Sequence, residues 1–134
     1  MDGELQGIRW GRAIVASIVL EVLLSLIAVP AFMLASDPAT LLNILIPPAS
    51  FVVAALVVIW LFRRAARPIA NGFATGFASI AIYVLLGVVA YLVAPDRMDW
   101  SQSLGVPYLA AHALKVLGGG AGGWWLARKR AAAD

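Results

Sequence analysis

Apolar and polar positions alternate in long blocks along this chain. Residues 13–35, reading AIVASIVLEVLLSLIAVPAFMLA, are apolar but for small polar residues and one ionisable side chain, Glu21, near the middle. A helix needs about 20 residues at roughly 1.5 Å each to cross a hydrocarbon core of roughly 30 Å, so this block predicts a membrane span. Residues 41–62 repeat the pattern without any charge, and Ser36-Asp37-Pro38 before them has the chemistry of a helix start, with Pro at the first helical position. Residues 69–94 are uncharged and stop at Pro95, with Asn71 as the candidate cap. The last block, 104–127, contains His112, Lys115 and the run Gly118–Gly123 before Trp124, Trp125 and the basic Arg128, Lys129 and Arg130.

Loops this short between spans leave no room for a second domain, and residues 1–134 are read as a single integral membrane domain. The expected fold is all-α: an antiparallel bundle of four transmembrane helices near 10–35, 40–62, 70–94 and 104–127. Pro47 and Pro48 each remove a backbone donor, which predicts a kink or broken turn near Ile44, with Asn43 helping to satisfy the freed carbonyls. A cleaved signal peptide is the competing reading of the first block, but its apolar region would be too long and would contain a glutamate.

The basic residues set the orientation. Arg9, Arg12, Arg63, Arg64, Arg67, Arg128, Lys129 and Arg130 fall on one side of this threading and Arg97 alone on the other, which predicts cytoplasmic termini and a plasma or bacterial inner membrane location. Trp10, Trp60, Trp124 and Trp125 mark the inner interface, and Trp100, Tyr91 and Tyr108 the outer one.

Composition agrees. With 63% hydrophobic and 13% charged residues, the chain has too little polar surface to cover a soluble globule of its size. Zero Cys excludes thiol nucleophiles, Cys-bound metals and disulfides within the chain, and a single His cannot build a multi-histidine site. A net charge of +3 lies beside apolar spans and not in an extended patch, so the expected counter-charge is the anionic headgroups of a bilayer and not nucleic acid. No cofactor or metal is expected.

Membrane helices associate through small residues and polar contacts, so those residues predict the inward faces. In the first span they are Ala13, Ser17, Glu21, Ser25 and Ala28; in the second Asn43, Pro47, Ser50 and Ala54; in the third Thr75, Ser79, Tyr83, Gly87 and Tyr91, beside Gly72 and Gly76; in the fourth Tyr108, His112, Lys115, Gly119 and Gly122. Overlapping GxxxG pairs in the last span serve packing within the bundle on the plainer reading, and association with a second copy or partner helices on the sharper one. No Gly-Lys-Ser/Thr follows the run, so it is not a phosphate loop.

An ionisable side chain at membrane depth is costly and marks the candidate site: Glu21, Lys115 and His112 with Ser17 and Ser25, and Asn43, Thr75, Ser79, Tyr83 and Tyr108 as cavity lining. Counted from the nearest basic boundaries, Glu21 lies roughly 14 Å and Lys115 roughly 20 Å deep, a difference that two side chains can span. Helical side chains lean toward their own N-termini, however, which moves these two apart. A direct or water-bridged pair and a separate, protonatable Glu21 therefore both remain open.

Short helices with an embedded glutamate in the first resemble the small multidrug resistance transporters, the match running over Ala13-Ile14 through Glu21-Val22. That resemblance implies proton exchange for a cationic substrate at Glu21. The chain differs in placing Lys115 in the fourth span, in its one-sided charge bias, and in lacking an aromatic and glycine motif in the third span. Three functional classes follow: a non-enzymatic accessory, assembly or structural bundle; a small proton- or cation-coupled transporter using Glu21 with Lys115 and His112; and an intramembrane enzyme, for which no catalytic spacing is recognisable. The first is preferred. Transport predicts a polar cavity reaching Glu21, and a structural role predicts a filled core around it.

Overall fold

The computed structural model describes residues 7–97 and 105–133. The acidic tail residues Asp2 and Glu4, the loop residues Asp99 and Trp100, and the expected start of the last span at Leu104 lie outside them. Among the described residues there are four long helices, α1 (Trp10–Leu34), α2 (Pro38–Phe62), α3 (Pro68–Val93) and α4 (Val106–Ala131), and one 3-10 turn, Pro95–Arg97, after α3.

Proline and aspartate set the helix starts. Pro38, Pro68 and Pro107 occupy first-turn positions, where a missing N–H costs no helical bond. Asp37 caps α2, its Oδ1 accepting from the Thr40 N–H at 3.2 Å. The Thr40 side chain and then its backbone N–H hold the Asp37 carboxyl below the usual carboxylate range. The cap therefore contributes throughout the neutral range and is lost only as pH falls through that lowered value.

Two expectations about helix ends are corrected. Asn71 does not cap α3, which begins at Pro68 with Arg67 as its N-cap. Pro47 and Pro48 do not break α2, which is helical through both from Pro38 to Phe62. Their rings deprive only the Asn43 and Ile44 carbonyls of donors, and the turns on either side keep their ladder.

α1, α2 and α3 are long and apolar enough to cross a membrane. α4 is as long but falls short in apolarity, because its glycine run, His112 and Lys115 displace aliphatic residues. Its packing explains the difference. α4 lies against both α2 and α3, and α1 packs against the same two helices from the opposite corner, so among the described residues α1 and α4 have no backbone contact of their own. The glycines permit this close approach. A Cβ on Gly118 or Gly122 would overlap the α2 backbone at Phe51 and Ala55, and one on Gly119 or Gly123 would overlap the α3 backbone at Gly72 and at Pro68 and Ile69. The run therefore serves two interfaces at once, and its GxxxG faces are occupied by the chain's own helices.

These pairings fix the directions. Gly72 opposite Gly119 and Pro68 opposite Gly123 make α3 and α4 antiparallel, whereas Ser17 beside Thr75 and Glu21 beside Ser79 make α1 and α3 parallel. The helices thus alternate up and down, with Arg9, Arg12, Arg63, Arg64, Arg67, Arg128, Lys129 and Arg130 gathered at one end and Arg97 at the other. Arg130 ties that end together by donating to the Ala65 and Arg63 carbonyls at 2.5 and 2.6 Å, supplying partners just beyond the α2 C-terminus. The core is built from small side chains, with Ala13, Ala16, Ala54 and Ala65 fully buried and Leu20, Val58 and Phe62 its largest members.

Candidate functional site

A polar ladder runs up the α1–α3 interface and ends in an ion pair. Asn71, Thr75, Ser79 and Tyr83 recur every fourth residue and share one face of α3, and Ala13, Ser17, Glu21 and Ser25 do the same on α1. At the lowest rung Asn71 caps α1 instead of its own helix: its Oδ1 accepts from the Arg9 N–H at 2.8 Å and its Nδ2 donates to the Arg67 and Gly7 carbonyls at 2.7 and 3.2 Å. One turn up, the Thr75 hydroxyl donates to the Asn71 carbonyl at 2.9 Å, and the Ser17 hydroxyl lies 2.6 Å from the Ala13 carbonyl and 2.8 Å from that of Thr75. All three side chains are buried, and each polar group has a partner, as a low-dielectric interior requires.

The next rung is Glu21. Its Oε1 accepts from Lys115 Nζ at 2.6 Å and from the Ser79 hydroxyl, joining α1, α3 and α4. Lys115 is almost completely buried and Glu21 keeps 17% side-chain exposure. Of the two arrangements left open by the sequence, the direct pair is the one found. It bridges the diagonal that α1 and α4 do not otherwise close. Lys115 also stands 5.4 Å from the centroid of the Tyr83 ring, a cation–π contact, and Tyr83 meets His112 edge-on at 4.7 Å and Tyr108 at 6.3 Å. Buried Nδ1 of His112 and buried Oγ of Ser50 have no hydrogen-bond partner among the described residues.

Above this cluster, toward the end away from the arginines, a cavity of about 220 Å³ opens between all four helices. Leu24, Ser25, Leu42, Asn43, Pro47, Tyr83, Tyr108 and Ala111 line it, and Glu21 does not. On α1 the lining begins at Leu24 and Ser25, the turn after Glu21, and Tyr83 forms part of the wall while its ring also meets Lys115.

The expected site residues thus separate into two groups. Ser17, Glu21, Thr75, Ser79, Tyr83, His112 and Lys115 gather along the ladder and its cap. Ser25 does not turn into the core beside Glu21 as expected: it is exposed, its hydroxyl donating back to the Glu21 carbonyl at 2.8 Å, and it faces the cavity with Asn43 and Tyr108, which are also exposed. Nor do Gly87 and Tyr91 continue a buried stripe on α3, for Gly87 is half-buried and Tyr91 exposed. Sequence reasoning missed Asn71 as the cap of another helix and Ser79 as a ligand of the carboxylate. The first was legible in the four-residue spacing that continues below Thr75.

Among the described residues no three His, Asp or Glu side chains come together as a metal site would need. Comparison with protein-family models, curated proteins and solved structures finds no match to this chain.

Proposed function

We propose that the chain is a multi-pass protein of the plasma or bacterial inner membrane, with both termini cytoplasmic, and that it is a non-enzymatic accessory, assembly or structural bundle. The membrane reading is supported by the three apolar helices and by the outward faces of the bundle, where Leu26, Phe32, Leu56, Phe77, Leu85 and Leu92 are all exposed. The one-sided arginines support the orientation, and anionic headgroups are their natural counter-charge. α4 crosses with the others because it packs on two of them and needs little lipid-facing surface of its own.

The observation that carries the functional choice is the bonding of Glu21 to Lys115 and Ser79. A carboxylate already bound by Lys115 and Ser79, and outside the lining of the cavity, is arranged to hold helices together. A second reading, a small proton- or cation-coupled transporter using Glu21, Lys115 and His112, draws support from that same cavity and from the exposure left on Glu21. Reconstitution into vesicles containing a pH-sensitive dye separates the two. A structural bundle gives no proton flux above that of empty vesicles under an imposed gradient; a flux that Glu21→Gln abolishes would establish the transporter.

A further inference from the structure

Two grooves flank α2 at the arginine-rich end. The first, about 530 Å³ between α1 and α2, is lined by Gly11, Arg12, Val15, Leu61 and Arg64; the second, about 600 Å³ between α2 and α4, by Leu56, Ile59, Leu126, Lys129 and Arg130. Trp60 and Arg63 line both. Each groove therefore has apolar walls, a tryptophan of the kind that sits at headgroup level, and cations at its mouth.

Three observations say what these grooves fit. Among the described residues, none of these cations has a carboxylate partner, since the single salt bridge is the one at Glu21. Arg130 is fixed by its bonds to the Ala65 and Arg63 carbonyls, which use two of its N–H groups and leave its charge held at the groove mouth. At Gly11 a Cβ would meet nothing within 4 Å, so the first groove is open beneath Arg12. Guanidinium forks match phosphate oxygens, and basic pockets between membrane helices suit anionic headgroups whose acyl chains follow the apolar walls.

We propose that the arginine-rich end of α2 binds an anionic phospholipid with two phosphates, of the diphosphatidylglycerol type, one phosphate in each groove and the linking glycerol across Arg63 and Trp60. Two neighbouring grooves that share a cation and a tryptophan suit one ligand with two phosphates better than two separate single-phosphate lipids. This proposal rests on the membrane reading above and on the arginines lying at a headgroup interface.

Thermal unfolding of the purified full chain in neutral detergent, followed by circular dichroism, tests it. Diphosphatidylglycerol is expected to raise Tm by about 5 °C at saturation, phosphatidylglycerol at equal phosphate by less than half as much, and phosphatidylcholine not at all. Gly11→Phe fills the first groove without changing charge, and Arg64→Gln removes one of its cations; each should cut the diphosphatidylglycerol shift by at least half. Arg128→Gln, equal in charge loss but with its guanidinium over Trp124 and outside both grooves, should leave it intact. Helical signal without lipid shows that each variant folds, and Arg64→Gln carries the comparison if Gly11→Phe does not. Equal shifts from the two anionic lipids at equal phosphate, or equal losses in Arg64→Gln and Arg128→Gln, would overturn the proposal. A chain extracted from membranes by alkaline carbonate would instead overturn the membrane reading beneath it.

Discussion

At the scale of single residues the chain concentrates its risk at Glu21 and Lys115. Removing one member of a buried pair leaves a charge without its partner, which costs about 3–5 kcal/mol, whereas replacing both with apolar or neutral groups of similar volume is often close to neutral. Lys115→Leu leaves a carboxylate that keeps 17% exposure, and Glu21→Gln leaves the more deeply buried ammonium with only an amide oxygen and the face of Tyr83, so each single variant is expected to destabilise the bundle, Lys115→Leu toward the lower end of that range. The double variant should recover most of the loss in denaturant unfolding. Additive losses would mean that the two side chains do not depend on each other. The pair was half legible in the sequence. Ionisable residues at membrane depth are scarce enough to point to one another, but depth counting carries an error of a turn and the lean of the side chains argued against contact. What decided the matter was Ser79 and the closeness of α4 to α3, and neither is encoded in Glu21 or Lys115. Ser25 shows the opposite failure: its spacing placed it in the stripe, but it is exposed and lines the cavity instead of meeting a partner helix.

At the scale of helices, apolar length alone gave the element order and ends within a few residues, because nothing else in the chain competes with helix formation in those blocks. It gave less about the interior of each helix. The paired prolines of α2 read as a break, yet a helix with intact turns on both sides tolerates two missing donors. The glycines of α4 read correctly as a packing surface, but periodicity could not show that alternate glycines serve different neighbours. That division has a measurable consequence. Gly119→Ala would drive a Cβ into the Gly72 carbonyl, where only movement of two backbones relieves the overlap, and about 1–3 kcal/mol of destabilisation is expected. Gly11→Ala, on the open side of α1, should be neutral or stabilising by up to about 1 kcal/mol, since alanine is the better helix former. Unfolding midpoints that shift alike for the two variants would mean that α3 and α4 are not in backbone contact at Gly119.

At the scale of the whole molecule, the arrangement separates two ends of different character. One end is bound together by Asn71 across α1 and α3, by Arg130 across α2 and α4, and by a cluster that includes Ala13, Val58, Phe62, Ala65 and Leu126. The other contains the cavity. The proposed orientation rests on the basic end alone, since positively charged turns are retained on the cytoplasmic side during insertion. Single cysteines introduced into this naturally cysteine-free chain test that orientation without background labelling. Ser36 lies in the turn between α1 and α2 at the far end, and Ala66 in the turn between α2 and α3 at the basic end; both are exposed. In intact cells a membrane-impermeant maleimide is expected to label Ser36→Cys, and to label Ala66→Cys and Ala132→Cys only after the membrane is opened. The reverse pattern would place the arginines outside. Labelling of Ala66→Cys and Ala132→Cys from opposite faces would show that α3 and α4 do not both cross, which is the point on which the lower apolarity of α4 makes the measurement decisive.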